Sequence, residues 1–164
     1  MSKNIDFTHN LVKGRIAETI FAQMLRNDGR FTVLEFGYEK VIPQLVGIDT
    51  NHENAAIESL RAAPDFAVIN QENKDVRLVE VKFRSKLLEG EILSIARKMH
   101  ASWNPSWLFV ATLDGFYFDE IGEIIENQGR IRPFDRIDDD VQDEYLNILR
   151  DFERSRRDIA EESV

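Results

Sequence analysis

The stretch PDFAVINQENKDVRLVEVKFR, residues 64–84, decides how the rest of the chain is read. Two apolar runs, Phe66 to Ile69 and Val76 to Phe83, flank the polar segment Asn70 to Asp75. Valine, isoleucine and phenylalanine fill the runs and the polar segment suits a turn, so the pattern predicts a β-hairpin. Successive side chains of a strand point to opposite faces. The second run therefore puts Leu78, Glu80, Lys82 and Arg84 on one face, and Arg77, Val79, Val81 and Phe83 on the other. Asp65 stands at the mouth of the first strand, where the hairpin would bring it beside Glu80. Two carboxylates and an ammonium on one strand pair suit a hard divalent cation and an activated water.

Towards the N-terminus, Leu11, Val12, Ile16, Ala17, Ile20, Phe21, Met24 and Leu25 recur at intervals of three and four, and Asn27-Asp28-Gly29 follows as a stop. This predicts an amphipathic helix from Asn10, with polar Met1 to His9 loosely held before it. Glu18 falls between the most apolar positions of that helix, as a boundary carboxylate or a site residue. Lys13 and Arg15 lie nearby, placed to meet a phosphate or to face water. Arg30 to Lys40 reads as the first strand, with Gly37 at a bend and Val41 to Leu45 as an extension past Pro43. Between Gly47 and Pro64, Thr50 or Asn51 would cap a short helix ending near Arg61.

Beyond the hairpin, Ser85 to His100 predicts a helix with Leu87, Leu88, Ile92, Leu93, Ile95 and Ala96 on its apolar side. Its basic end, Arg97, Lys98 and His100, favours a helix C-terminus and could also reach a nucleic-acid backbone. Trp107 to Thr112 reads as a strand buried on both faces, and Asp114-Gly115 as a turn returning the chain through Phe116 towards Ile125. Trp103 and Trp107 are candidates for base stacking or for the core. Gly129 to Phe134 reads as a short strand or an arm. A final helix spans about 138–158, with an apolar stripe of Val141, Tyr145, Ile148, Leu149, Phe152 and Ile159 docking on the domain or on a second copy.

The 164 residues and 43% hydrophobic content fit a single domain, 1–164. With no cysteine, thiolate zinc sites and disulfides are excluded, and His9, His52 and His100 have no metal-binding spacing. No apolar run has the length of a membrane span and no signal peptide is evident, so a cytoplasmic protein without a membrane partner is the expectation. The net charge of -9 is concentrated late: residues 119–164 hold 15 acidic and 7 basic side chains, residues 1–118 hold 15 and 14. A glycine-rich phosphate loop and a Ser or Cys nucleophile with a suitable His are both missing from the sequence. Paired carboxylates also serve glycoside hydrolysis, but Lys82 beside Glu80 fits a metal–phosphate site better.

Pro64-Asp65, fourteen residues, then Glu80-Val81-Lys82, preceded by a helix with Gly14-Arg15 and Glu18, resembles the PD-(D/E)XK nuclease superfamily, which includes restriction endonucleases and archaeal-type Holliday junction resolvases. The resemblance covers about residues 10–125. It implies an α/β fold, the restriction endonuclease-like three-layer core with a mixed central sheet flanked by helices. It further implies Mg2+, or Mn2+ in its place, held by Asp65, Glu80, the Val81 carbonyl and Glu18, with Lys82 acting on the attacking water. The implied activity is endonucleolytic phosphodiester cleavage to 5′-phosphate and 3′-hydroxyl ends, with DNA as the expected partner and a homodimer as a common assembly. Lys13, Arg15, Arg84, Lys86, Arg97 and Lys98 are the candidate nucleic-acid contacts. The alternative is an inactive nucleic-acid-binding or protein-interaction module on the same fold.

Overall fold

The computed structural model describes residues 3–37 and 55–162, with side chains over 7–37 and 55–155. In chain order these form α1 (Lys3–Asp28), β1 (Phe31–Glu35), α2 (Ala55–Arg61), β2 (Phe66–Asn70), β3 (Val76–Phe83), α3 (Glu89–Ser102), β4 (Trp107–Ala111), β5 (Phe116–Glu120), α4 (Ile121–Glu126) and α5 (Asp139–Glu162). The five strands make one sheet in the order β1-β2-β3-β4-β5. All neighbours are antiparallel except β3 and β4, which run parallel and are joined through α3. The architecture is mixed α/β, a mostly antiparallel central sheet with helices on its faces.

The hairpin forms where its sequence predicts. Asn70 closes the turn through N–H to Asp75 O at 2.9 Å, while its side-chain oxygen accepts the Glu72 N–H at 2.9 Å, the local bonding that suits Asn to turns. Strand β4 is buried along most of its length because its two faces serve two cores. Phe109 and Ala111 meet α1 and α5 residues such as Phe21, Met24 and Leu149; Leu108 and Val110 meet Ile92 and Ala96 of α3 and Ile121 and Ile124 of α4. Phe109 is fully buried, its ring 4.7 Å from Phe21 and edge-on to Phe134 at 5.4 Å.

Several boundaries differ from the sequence expectation. Helix α1 begins at Lys3, not Asn10: no glycine or proline interrupts residues 3–10, so the helix propagates through a polar lead. Helix α3 begins at Glu89, not Ser85, because the Arg84 N–H still bonds Ala111 O at 2.9 Å and Leu88 is extended at φ −106°. The return strand stops at Glu120, where Ile121 and Ile124, three apart, turn a buried face as α4. Residues 130–134 are an arm along β5, with Phe118 N–H to Arg132 O and Phe134 N–H to Phe116 O both at 2.9 Å. Gly129 launches that arm at φ +94°, and a Cβ there would lie 2.0 Å from Glu89 O, so only glycine fits. The expected caps at Thr50 or Asn51, and residues 41–45, lie outside the described residues. Among the described residues no helix is long and apolar enough to cross a membrane.

The last helix docks on the first through a buried ion pair. Lys13 Nζ lies 2.8 Å from Glu153 Oε1, with both side chains at most 10% exposed, and 5.1 Å from the centre of the Phe83 ring. Removing one partner of such a pair leaves an uncompensated buried charge, whereas replacing both by apolar groups is often neutral. Glu153→Ala is therefore expected to cost about 3 kcal/mol in chemical denaturation, and Lys13→Met with Glu153→Leu to recover most of it. A double variant no more stable than Glu153→Ala would contradict this account.

Candidate active-site cleft

The site is assembled by strand register. Phe66 pairs with Val79, so Asp65 and Glu80 stand across from each other one step further along. Three backbone amides fix Asp65: its carbonyl accepts Phe36 N–H at 2.8 Å and Gly37 N–H at 3.2 Å, and its Oδ2 accepts Val81 N–H at 2.8 Å. The strand alternation is as the sequence predicts. Val79 and Val81 point into the core, while Glu80 and Lys82 share the other face, their side chains 15% and 34% exposed. The Lys82 ammonium bonds the Glu80 carboxylate directly.

A cleft of about 390 Å³ opens here, its walls including Glu18, Asp65 and Glu80. A neighbouring hollow of about 450 Å³ shares Asn10, Gly14 and Glu18 with it and adds Lys82 and Arg84. Glu18 borders both spaces, Asp65 and Glu80 the first and Lys82 the second, so the four expected catalytic side chains line two adjoining hollows along α1. Asp65 registers that crowding: burial first, then the Glu80 carboxylate, push its pKa up to about 7. The Val81 amide opposes the shift, Glu18 adds to it, and Lys82 offsets part of it.

The basic residues are dispersed. Arg15 lines the cleft, and Arg84 lines the adjoining hollow with its guanidinium on Glu91. Lys13 borders the same hollow but is committed to Glu153. Lys86, Arg97 and Lys98 are exposed and border neither space. Trp103 meets Phe36 edge-on at 5.5 Å and donates from Nε1 to Ser59 O at 2.7 Å, and Trp107 carries the Arg77 guanidinium at 5.0 Å, so both indoles have internal partners. Sequence reasoning did not single out Glu35, Asn10 or Arg61 as site residues, although all three line the cleft. The pairing of β1 with β2 reveals Glu35, the placing of α2 reveals Arg61, and Asn10 comes with α1 about two turns before Glu18. A smaller apolar hollow, about 200 Å³, lies by the turn end of the hairpin between Phe21, Phe31, Val68 and Phe134, away from these carboxylates.

The donor set suits a hard divalent cation in kind: carboxylate oxygens, one of them destabilised as an anion by its neighbours. Asp65, Glu80 and Glu18 would hold the ion. Among the described residues, however, no three such side chains are already drawn together as a ligand group. Lys82 is bonded to Glu80, so a cation held there would compete with that contact. No protein-family model matches the chain, and no curated protein does.

The raised pKa of Asp65 has a definite sign in stability. Between its ordinary value of 3.8 and about 7, the folded protein keeps a proton that the unfolded chain has released, so stability falls as pH rises through that window. Asp65→Asn is expected to stabilise the cation-free protein by about 1–3 kcal/mol at pH 8, allowing for solvent at the cleft, and by little at pH 4. Thermal melting at the two pH values checks this, and equal midpoints for both proteins at pH 8 would refute it.

Proposed function

We propose that the protein is a magnesium-dependent endonuclease of the restriction endonuclease-like fold, hydrolysing phosphodiester bonds in DNA, with manganese able to replace magnesium. The observation that carries this reading is the opposition of Asp65 and Glu80 across β2 and β3, in a cleft that Glu18 also lines, with Lys82 on the same strand face bordering the adjoining hollow. Carboxylates alone repel a phosphodiester; a bound divalent cation would neutralise the phosphate, polarise its oxygens and lower the pKa of water. The Val81 amide holds one Asp65 carboxylate oxygen, and the Phe36 and Gly37 amides hold its main-chain carbonyl. Glu80 extends from the facing strand. Lys82, on the same face and paired with Glu80, would orient the attacking water and offset charge developing on the phosphate. Water would form the new bond to phosphorus as the bond to the 3′-oxygen breaks, leaving 5′-phosphate and 3′-hydroxyl ends.

A second reading, a nucleic-acid-binding or interaction module of the same fold without turnover, draws on two observations. Lys82 is paired with Glu80, and no ready group of three ligands exists among the described residues. Turnover decides between them. In a magnesium-dependence assay on labelled duplex, nicked, flapped, four-way-junction and single-stranded DNA and on RNA, Asp65→Ala, Glu80→Ala and Lys82→Ala are each expected to lower cleavage by about a hundredfold or more. Lys82→Ala should still bind the cation. Full activity in any one variant would overturn the assignment, and binding without cleavage by the unaltered protein would favour the second reading.

A further inference from the structure

Helix α1 runs unbroken from Lys3 to Asp28, so residues 7, 11, 14 and 18 fall on one face within about 60° of each other. Leu11, Gly14 and Glu18 line the carboxylate cleft. Phe7, one turn before Leu11, continues that wall outward with its side chain uncovered: Phe7 is 69% and Leu11 52% exposed. Between them and Glu18 lies Gly14, where an added Cβ would meet nothing within 4 Å. Glycine is the poorest helix-interior residue after proline, and neither its φ nor any neighbour calls for it here. The face thus offers an exposed aromatic ring, an aliphatic step and a bare stretch of helix backbone, leading in that order to the carboxylates.

Resting on the nuclease reading, we propose that this face of α1 is a track for an unpaired nucleic-acid strand, with Phe7 stacking on a base a few nucleotides from the bond to be cut and Gly14 letting the strand pass close to the helix. The substrate class that follows is single-stranded or flapped nucleic acid rather than uninterrupted duplex, whose bases are already stacked on one another. An exposed ring is the usual platform for an unstacked base, and such stacking tolerates any sequence. A second copy of the chain fits the patch less well. Two side chains one turn apart expose on the order of 200 Å², against about 800 Å² per partner in a stable interface.

Binding by the full chain carrying Lys82→Ala, which separates binding from cutting, tests this with a labelled single strand and the duplex of the same sequence in magnesium. The single strand is expected to bind about tenfold more tightly. Phe7→Ala should remove most of that preference while leaving duplex affinity unchanged, and Phe7→Trp should restore it with quenching of the new indole. Gly14→Leu should weaken the single strand similarly with no fall in melting temperature and an unchanged magnesium-induced shift, which excludes damage to the fold or the cation site. Equal binding of both forms, or a Phe7→Ala protein that keeps the preference, would overturn the track while leaving cleavage by the unaltered protein, and so the nuclease reading, intact. A concentration-dependent dimer lost in Phe7→Ala would overturn it in favour of a self-association surface. No binding and no cleavage of any nucleic acid would remove the nuclease reading and the track together.

Discussion

Phe66 faces Val79 across two antiparallel strands, and the consequences of that single pairing reach most of the molecule. A slip of one residue would turn Val79 and Val81 out of the core and bring Glu80 and Lys82 into it, exchanging buried apolar surface for buried charge. The register is therefore enforced by the hydrophobic effect along the strand and not by the charged groups it positions. From it follow the opposition of Asp65 to Glu80 and the reach of the Val81 amide to the Asp65 carboxylate. The two residues that follow β1 add the Phe36 and Gly37 amides to the Asp65 main-chain carbonyl from the other side.

Packing strength next to the cleft and charge repulsion inside it belong together. Burial and the Glu80 carboxylate raise the proton affinity of Asp65, a cost that the fold carries in order to hold negative groups in one place. The neighbouring core is dense: Phe21 touches both Phe66 and Phe109, with ring centres 5.6 and 4.7 Å apart. Because Phe66 follows Asp65 directly, the aromatic contact limits how far repulsion can displace the acidic side chain. The second wall of the cleft is suspended separately. Ser59 of α2 accepts the Trp103 indole N–H, tying the helix that bears Arg61 to the C-terminal end of α3.

How much of this is legible in the sequence depends on the range of the interaction. The hairpin, the faces of β3 and the doubly buried β4 follow from period-two patterning, a local property. The polar lead of α1 is misread because helix propagation needs no apolar face of its own, only the absence of a breaker. The start of α3 is misread because a backbone bond to β4, distant in sequence, holds Arg84 extended. Asp65, Glu80, Lys82 and Glu18 are visible as a spaced set, whereas Glu35, Asn10 and Arg61 are ordinary polar residues until the fold brings them to the same cleft. Lys13 shows the same limit from the other direction. Its position on α1 suggests a phosphate contact, and only the docking of α5 reveals its commitment to Glu153.

The two sources of the cleft differ greatly in sequence range. Asp65, Glu80 and Lys82 lie within one hairpin whose strands pair locally, while Glu18 arrives on a helix that must dock against the finished sheet. Contacts of short sequence separation form early and with little loss of chain entropy; those of long separation form late. The chain would thus bring these side chains together in two instalments as it folds, first a self-contained cassette and then Glu18. The same division applies to damage: a change that loosened the docking of α1 would take Glu18 away and leave the opposition of Asp65 and Glu80 standing.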